Sequence, residues 1–138
     1  MTLPNFDYTV ANSLEEASNA ISQQGGRAVL MAGGTDVILL LKEDALKDVD
    51  TVVDIKNIPD MDQLDFVEGE GLHVGALTKL FTIQTSKLVS DNMPAVADAA
   101  HYVASAQIRR KGTLVGNICG RAFRFPDPPP ARQMVRAR

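Results

Sequence analysis

The chain of 138 residues contains one cysteine, no tryptophan and only 5% aromatic residues. Cys119 alone cannot form an internal disulfide, and it cannot supply the thiolate cluster of a structural zinc or iron–sulfur site. No apolar run approaches the roughly 20 residues that span a bilayer, and the N-terminus has no basic segment followed by an apolar one. These absences predict a soluble cytoplasmic protein without a membrane span.

Ordinary globular composition is present instead. Hydrophobic residues make up 45% of the chain and charged residues 22%, which argues against disorder or a disulfide scaffold. The length suits one domain or two small subdomains with a buried core, but not a complete enzyme with several cofactors. His73 and His101 are isolated in sequence, so we predict structural roles for them and no metal site. We predict a solvated edge or a subunit contact for Arg109-Arg110-Lys111.

The end of the chain differs in charge from the rest. Residues 121–138 contain five arginines and one acidic residue, Asp127, so this part carries +4 while the first 120 residues carry −7. Four of the seven prolines also lie there, and the segment has no helical or strand periodicity. We predict a basic, proline-rich and disordered tail over residues 120–138. The acidic body and the lack of interleaved aromatic residues argue against a nucleic-acid partner.

The first third of the chain alternates strand and helix signals. Ser13 and Glu16 have the Ser-x-x-Glu spacing that caps a helix, and Gly25-Gly26 permits the left-handed turn that ends one. The predicted buried face of this helix consists of Leu14, Ala17 and Ile21. The other predicted elements are a short strand, a buried strand, a short buried helix and a second buried strand, at Tyr8–Val10, Arg27–Ala32, Val37–Lys42 and Thr51–Ile55. Residues 1–56 therefore form a predicted βαβαβ unit.

The middle of the chain changes to an antiparallel pattern, and residues 57–119 form the second predicted subdomain. Two short apolar runs flank Glu68-Gly69-Glu70-Gly71, which indicates a hairpin. Thr78 is the predicted cap of a helix over Lys79–Thr85, and Pro94 opens another helix. The predicted face of the latter that packs on the sheet consists of Val96, Ala99, Ala100 and Val103. The fold class is α+β: a small βαβαβ part followed by a mixed or antiparallel sheet with flanking helices.

Two glycine-containing segments are candidates for binding an anion. Gly33-Gly34-Thr35-Asp36 follows a predicted strand at a helix start, where backbone N–H groups converge and attract phosphate. Asp36 itself is predicted to cap the helix or to hold the loop. Gly112–Asn117 has similar ingredients, and one segment on each subdomain could hold the pyrophosphate of a dinucleotide. The alternative for both is a simple turn, which for Gly112–Asn117 would join a helix to a strand. The Rossmann and P-loop patterns are absent.

Four ordered motifs resemble the FAD-binding medium subunit of the xanthine dehydrogenase and carbon monoxide dehydrogenase family. They are Met31–Asp36, Val53–Pro59, Leu72–Thr78 and Gln107–Cys119. The resemblance runs from about residue 3 to Cys119 and implies a two-part FAD-binding domain. It departs from the family at Val115, where many relatives have glycine, and after Cys119. The second departure, an abrupt change of composition at residue 120, suggests a truncated fragment of a longer subunit.

The resemblance also implies the residues that contact FAD. Those around the pyrophosphate are Leu30, Met31, Ala32, Gly33, Gly34, Thr35, Asp36 and Val37. Those along the flavin are Val103, Thr113, Leu114, Val115, Gly116 and Asn117, with Asp127 as a stand-in for an aspartate of the relatives. No side chain is implied as an acid, base or nucleophile.

The function implied by this resemblance is electron transfer within a multi-subunit dehydrogenase. A molybdopterin large subunit would oxidise the substrate, iron–sulfur clusters in a small subunit would pass the electrons on, and FAD would deliver them to NAD or another acceptor. Two alternatives stay open. One is a stand-alone flavoenzyme of a related fold, for which no substrate domain is apparent. The other is a fragment that keeps the fold without binding FAD.

Overall fold

The computed structural model describes residues 3–120. The chain divides into two compact units, and the boundary in the sequence falls between Pro59 and Asp60. The first unit has the predicted βαβαβ order. Its elements are β1 (Asp7–Val10), α1 (Leu14–Gln23), β2 (Ala28–Met31), α2 (Thr35–Lys42) and β3 (Thr51–Asp54). Residues 121–138, which hold most of the predicted tail and Asp127, lie outside the described residues.

The first unit is built on a parallel three-stranded sheet in the order β1-β3-β2. The central strand β3 is buried along its whole length, as predicted. β2 was also predicted to be buried, and this is wrong for most of the strand, because β2 pairs on one side only. Leu30 is 46% exposed, whereas Met31 is buried and packs with Leu41 and Val52.

Helix α1 begins where its capping signal predicts. The Ser13 hydroxyl accepts a hydrogen bond from the Glu16 backbone N–H at 3.1 Å, and the Glu16 carboxylate accepts one from the Asn12 N–H at 2.7 Å. Ala17 is buried as predicted, but Leu14 is 62% exposed. The predicted burial of Leu14, the first residue of the helix, is therefore wrong.

Helix α2 forms as predicted but is less buried than its apolar sequence indicates. Leu41 is its one buried residue within the described part of the chain, and Leu39 is exposed. Val37 and Ile38 are half-buried and pack against the cluster of Met31, Leu41 and Val52. The helix is therefore amphipathic, with one side on the sheet.

A buried carboxylate lies at the end of the central strand. Asp54 accepts hydrogen bonds from the Tyr8 hydroxyl, from the Lys56 ammonium and from the Lys56 backbone N–H, the last at 2.9 Å. Burial raises the pKa of Asp54, but the hydrogen bonds from Lys56 and Tyr8 outweigh it and hold that pKa below its usual range. The same carboxylate raises the pKa of Tyr8.

We expect Asp54→Asn to lower the free energy of unfolding at pH 7 by about 1.5–3 kcal/mol, the usual contribution of hydrogen bonds to a charged group. A carboxyl whose pKa is lower in the folded state stabilises above its unfolded pKa of about 3.9, and this contribution disappears as the pH falls through the folded value. Urea unfolding of both proteins from pH 7 to pH 3 should therefore show a difference that shrinks on acidification. Asp65→Asn, at an exposed position, is the control. A difference that stays constant with pH would contradict the assignment.

The second unit begins with the predicted hairpin and continues as helices. Strands β4 (Leu64–Val67) and β5 (Gly71–Val74) pair antiparallel. The helices are α3 (Leu80–Thr85), α4 (Lys87–Asn92), α5 (Pro94–His101), α6 (Ala106–Arg109) and α7 (Leu114–Cys119). Pro94 opens α5 as predicted. Helix α4 was not predicted. The Ser86 hydroxyl caps it by accepting a hydrogen bond from the Val89 N–H at 3.4 Å.

The core of the second unit lies between its helices and the hairpin. Helix α5 packs against α3 and α4. The buried cluster consists of Leu80, Ile83, Val89, Ala97, Ala100, Val103 and Leu114, and Leu64, Leu72 and Val74 of the hairpin pack against it. The prediction that Thr78 caps α3 is wrong. Its hydroxyl donates to the Gln63 carbonyl at 3.0 Å, and Lys79 occupies the N-cap position of α3.

Candidate functional site

The first candidate segment is the turn between β2 and α2. Gly34 is the N-cap residue of α2 and has a left-handed backbone, with φ 76° and ψ −3°. Its carbonyl accepts the first helical hydrogen bond, from the Ile38 N–H at 3.0 Å. The first amides of a helix have no intrahelical partner, and the N-cap residue of α2 is a glycine, which has no side chain to bond them. The start of α2 therefore has the geometry of an anion site.

Glycine is favoured at position 34 for two reasons. The left-handed φ disfavours any residue with a Cβ. A Cβ there would also lie 3.0 Å from Sδ and 3.3 Å from Cγ of Met31. The prediction that Asp36 is the cap is wrong, because Gly34 already holds that position and Asp36 lies in the first turn of the helix.

The second candidate segment, Gly112–Asn117, is not a turn between a helix and a strand, so that part of the sequence interpretation is wrong. It starts helix α7, because the Thr113 hydroxyl accepts a hydrogen bond from the Gly116 N–H at 3.0 Å. Two backbone hydrogen bonds fix the same segment to the start of α3. The Leu80 N–H donates to the Gly112 carbonyl at 3.0 Å, and the Leu114 N–H donates to the Thr78 carbonyl at 3.1 Å.

Thr113→Val should remove this cap while keeping the volume of the side chain. We expect the free energy of unfolding to fall by about 1 kcal/mol, the usual cost of losing an N-cap, and FAD retention to fall with it because the α7 start is displaced. Ser13→Ala removes the cap of α1 and is the matched control, which should cost similar stability and leave FAD retention unchanged. Urea unfolding and flavin absorption after desalting measure the two effects. Equal FAD loss in both variants would contradict a specific role for Thr113.

Other implied contacts of the second unit have contrasting environments. Val103 and Leu114 are buried members of the apolar core. Val115, Gly116 and Asn117 are half-buried in the first turns of α7. The side-chain oxygen of Asn117, Oδ1, is buried and accepts no hydrogen bond within residues 3–120. A buried acceptor without a donor is costly, so a donor from outside residues 3–120 would stabilise Asn117.

Each unit, taken by itself, therefore has residues that fit one part of FAD. The cofactor has a pyrophosphate, which matches the start of α2, and its isoalloxazine ring has an N–H donor, which matches the free acceptor of Asn117. Among the other implied contacts, Leu30 and Met31 end β2, Ala32 and Gly33 form the bend, and Thr35 to Val37 form the first turn of α2. Asp127 lies outside the described residues.

Arg109, predicted to lie on a solvated edge or in a subunit contact, is buried. Arg109 is 9% exposed, and its Nη1 donates to the carbonyls of Val103 and Ala104. Its neighbours Arg110 and Lys111 are exposed as expected. The sequence could not distinguish Arg109 from its two neighbours, because a charged residue is expected to be exposed.

Residues 3–120 contain no group of three or more His, Cys, Asp and Glu side chains arranged to hold a metal ion. None of their helices combines the length and the apolar character needed to cross a bilayer.

The chain matches a known family along nearly its whole length. The family described as the FAD binding domain in molybdopterin dehydrogenase matches residues 4–137. The match continues past Cys119, so the resemblance is longer than the four motifs indicate.

Individual relatives agree with this family. The chain is 35% identical over 123 residues to the 6-hydroxypseudooxynicotine dehydrogenase complex subunit alpha of Paenarthrobacter nicotinovorans, covering 86% of this chain and 39% of that protein. It is 31% identical to the carbon monoxide dehydrogenase medium chain of Hydrogenophaga pseudoflava, covering 86% and 40%. It is 32% identical to the xanthine dehydrogenase FAD-binding subunit of Escherichia coli O157:H7, covering 83% and 39%.

Solved structures share the fold. A carbon monoxide dehydrogenase structure from Hydrogenophaga pseudoflava superposes with a TM-score of 0.79 at 31% identity, covering 86% of this chain and 40% of that one. Quinoline 2-oxidoreductase from Pseudomonas putida 86 gives a TM-score of 0.75 at 28% identity, again covering 86% and 40%. The chain thus spans about 40% of the length of these relatives. It belongs to the family of FAD-binding domains of molybdopterin dehydrogenases, and its cofactor is FAD.

Proposed function

We propose that this chain is the FAD-binding part of an electron-transfer flavoprotein subunit of a molybdenum-dependent dehydrogenase. The observation that carries the proposal is the start of α2, where a left-handed Gly34 is the N-cap of an eight-residue helix and has no side chain to bond its first amides. A backbone cradle of this kind attracts a pyrophosphate. It lies within a chain whose family binds FAD.

The protein's own part in the reaction is binding and orientation. The amides at the start of α2 would hold the pyrophosphate, with the Thr35 hydroxyl as a further donor. The Thr113 cap keeps the start of α7 in place, so that Asn117 Oδ1 would accept a hydrogen bond from the flavin ring. Bound FAD supplies the redox chemistry, namely the acceptance and release of electrons. No side chain of this chain is required to act as an acid, base or nucleophile.

The proposed partners follow from the relatives, which carry names of dehydrogenase subunits and complexes. Electrons would come from a molybdopterin large subunit through the iron–sulfur clusters of a small subunit. NAD or another acceptor would receive them from FAD. Affinity purification of the tagged chain from its own host tests this assembly. Co-purified subunits containing molybdenum and iron are expected, and a chain recovered without them at native expression levels would contradict it.

FAD binding is tested by the visible absorption spectrum of the purified chain, recorded after adding FAD and removing the excess by desalting. We expect flavin bands close to one equivalent per chain. Far-ultraviolet circular dichroism on the same sample shows whether the protein is folded. A folded but colourless protein would contradict FAD binding by this chain and favour the alternative of a fold without its cofactor.

A further inference from the structure

The buried Arg109 forms a structural link that the proposed function does not yet use. Its Nη1 donates to the Val103 carbonyl at 3.0 Å and to the Ala104 carbonyl at 2.9 Å. Within residues 3–120 it forms no ion pair, and its Nε is buried without a hydrogen-bond partner. A buried charge is costly unless it is well bonded, so these two carbonyls are what keeps the guanidinium in place.

The two carbonyls belong to the turn that follows α5. Ala104 has a left-handed backbone, with φ 45°, which is unfavourable for a residue with a Cβ. Val103, immediately before it, is a buried member of the core cluster. A cation is also favoured where helix carbonyls remain without intrahelical partners. Arg109 thus holds a strained turn against the core.

Arg109 lies only three residues before the second candidate segment, Gly112–Asn117. The Lys111 and Gly112 N–H groups both donate to the Ile108 carbonyl, at 3.0 and 2.7 Å, so the chain after α6 turns tightly. The Gly112 carbonyl then accepts from Leu80 at 3.0 Å. Successive hydrogen bonds connect the segment from Ala104 to the Thr113 cap, so its backbone has little freedom to move. A displacement of Arg109 would be transmitted to the start of α7.

We propose that Arg109 is a positioning residue for FAD: it locks the Val103–Ala104 turn and thereby places Thr113–Asn117 against the flavin. This inference rests on the proposed function. Arg109 does not contact the cofactor in this mechanism. Its effect passes through the backbone of α6 and the start of α7.

The chain offers a matched control at the next position. Arg110 is exposed, and its guanidinium carbon lies 3.9 Å from the centre of the Phe81 ring. Arg110→Met removes the same charge from the same helix end without touching the turn. Arg109→Met removes the two hydrogen bonds, whereas Arg109→Lys keeps a donor and the charge but loses the planar fork.

The experiment measures the FAD dissociation constant of each full-length variant by equilibrium dialysis, and the visible circular dichroism of the FAD-saturated protein. Arg109→Met should bind FAD about tenfold or more weakly, equivalent to about 1.4 kcal/mol, and its flavin dichroism should change even at saturation. Arg109→Lys should recover part of the affinity, and Arg110→Met should match the unmodified chain. The dichroism is informative because a general loss of stability would not alter the environment of bound flavin.

A second variant keeps the test decisive if Arg109→Met does not fold. Ala104→Gly removes the left-handed penalty, so adding it to Arg109→Met should restore folding and part of the FAD affinity. If folded Arg109→Met, alone or with Ala104→Gly, binds FAD with unchanged affinity and dichroism, the positioning role is overturned while the proposed function stands. If the unmodified chain itself binds no FAD, the proposed function is overturned and the positioning role with it.

Discussion

Gly34→Ala is expected to weaken FAD binding at least tenfold and to lower the free energy of unfolding by about 1–2 kcal/mol, the usual cost of a left-handed residue with a Cβ. The new methyl group would sit 3.0 Å from Met31 Sδ at a φ of 76°, so both the left-handed backbone and the contact with Met31 favour a changed turn. A changed turn would direct the first amides of α2 away from the point where they converge. Equilibrium dialysis with FAD and urea unfolding of the FAD-free protein measure the two effects separately.

Gly69→Ala is the matched control for this prediction. Gly69 also has a left-handed backbone, with φ 86°, but no atom lies within 4 Å of the Cβ that alanine would add. It belongs to the hairpin turn of the other unit. The control should therefore lose similar stability and retain its affinity for FAD. If both variants bound FAD equally well, the cradle at Gly34 would not be the pyrophosphate site.

Local signals predicted most of the elements. The cap at Ser13 and Glu16 marks the start of α1, Pro94 marks the start of α5, and the glycine-rich run after Val67 marks the hairpin. Each of these signals acts within a few residues, through a side-chain hydrogen bond or a restricted φ. Such effects can be read from the sequence because they depend on nothing distant.

Burial was less predictable, because it depends on which elements are neighbours in space. The apolar pattern of β2 fits a central strand, but the strand order places it at an edge, where Leu30 is exposed. For Arg109 the error is the opposite one. Its charge predicts exposure, but the side chain is buried and donates a hydrogen bond to the Ala104 carbonyl. Neither the strand order nor that turn has a local signal.

The candidate site divides in the same way. The strand-turn-helix geometry at Gly34 was predicted from its residues, because paired glycines before an apolar helix are a local pattern. For the second segment, the alternative to an anion site was a turn between a helix and a strand. Backbone hydrogen bonds to Thr78 and Leu80 select the helix start instead. The implied FAD contacts of this segment came from the family resemblance and stay predictions.

Gly75 lies close to the backbone of residues 61–63. A Cβ there would lie 2.3 Å from the Met61 carbonyl oxygen and 2.9 Å from the Gln63 nitrogen. Both neighbours are backbone atoms and cannot rotate away as a side chain would. They are also held in place, because Gly75 N–H donates to the Gln63 carbonyl at 2.8 Å and Leu77 N–H donates to the Met61 carbonyl at 2.6 Å.

We therefore expect Gly75→Ala to cost about 3 kcal/mol or more, since overpacking typically costs about 1–3 kcal/mol and two hydrogen bonds would be strained in addition. Urea unfolding of the FAD-free protein measures this loss. Gly71→Ala is the control in the same hairpin, because its added Cβ has no atom within 4 Å and meets only the unfavourable φ of 108°. Gly75→Ala must then be clearly less stable than Gly71→Ala. Equal losses would mean that backbone conformation, and not the contact with Met61, determines the requirement for glycine at position 75.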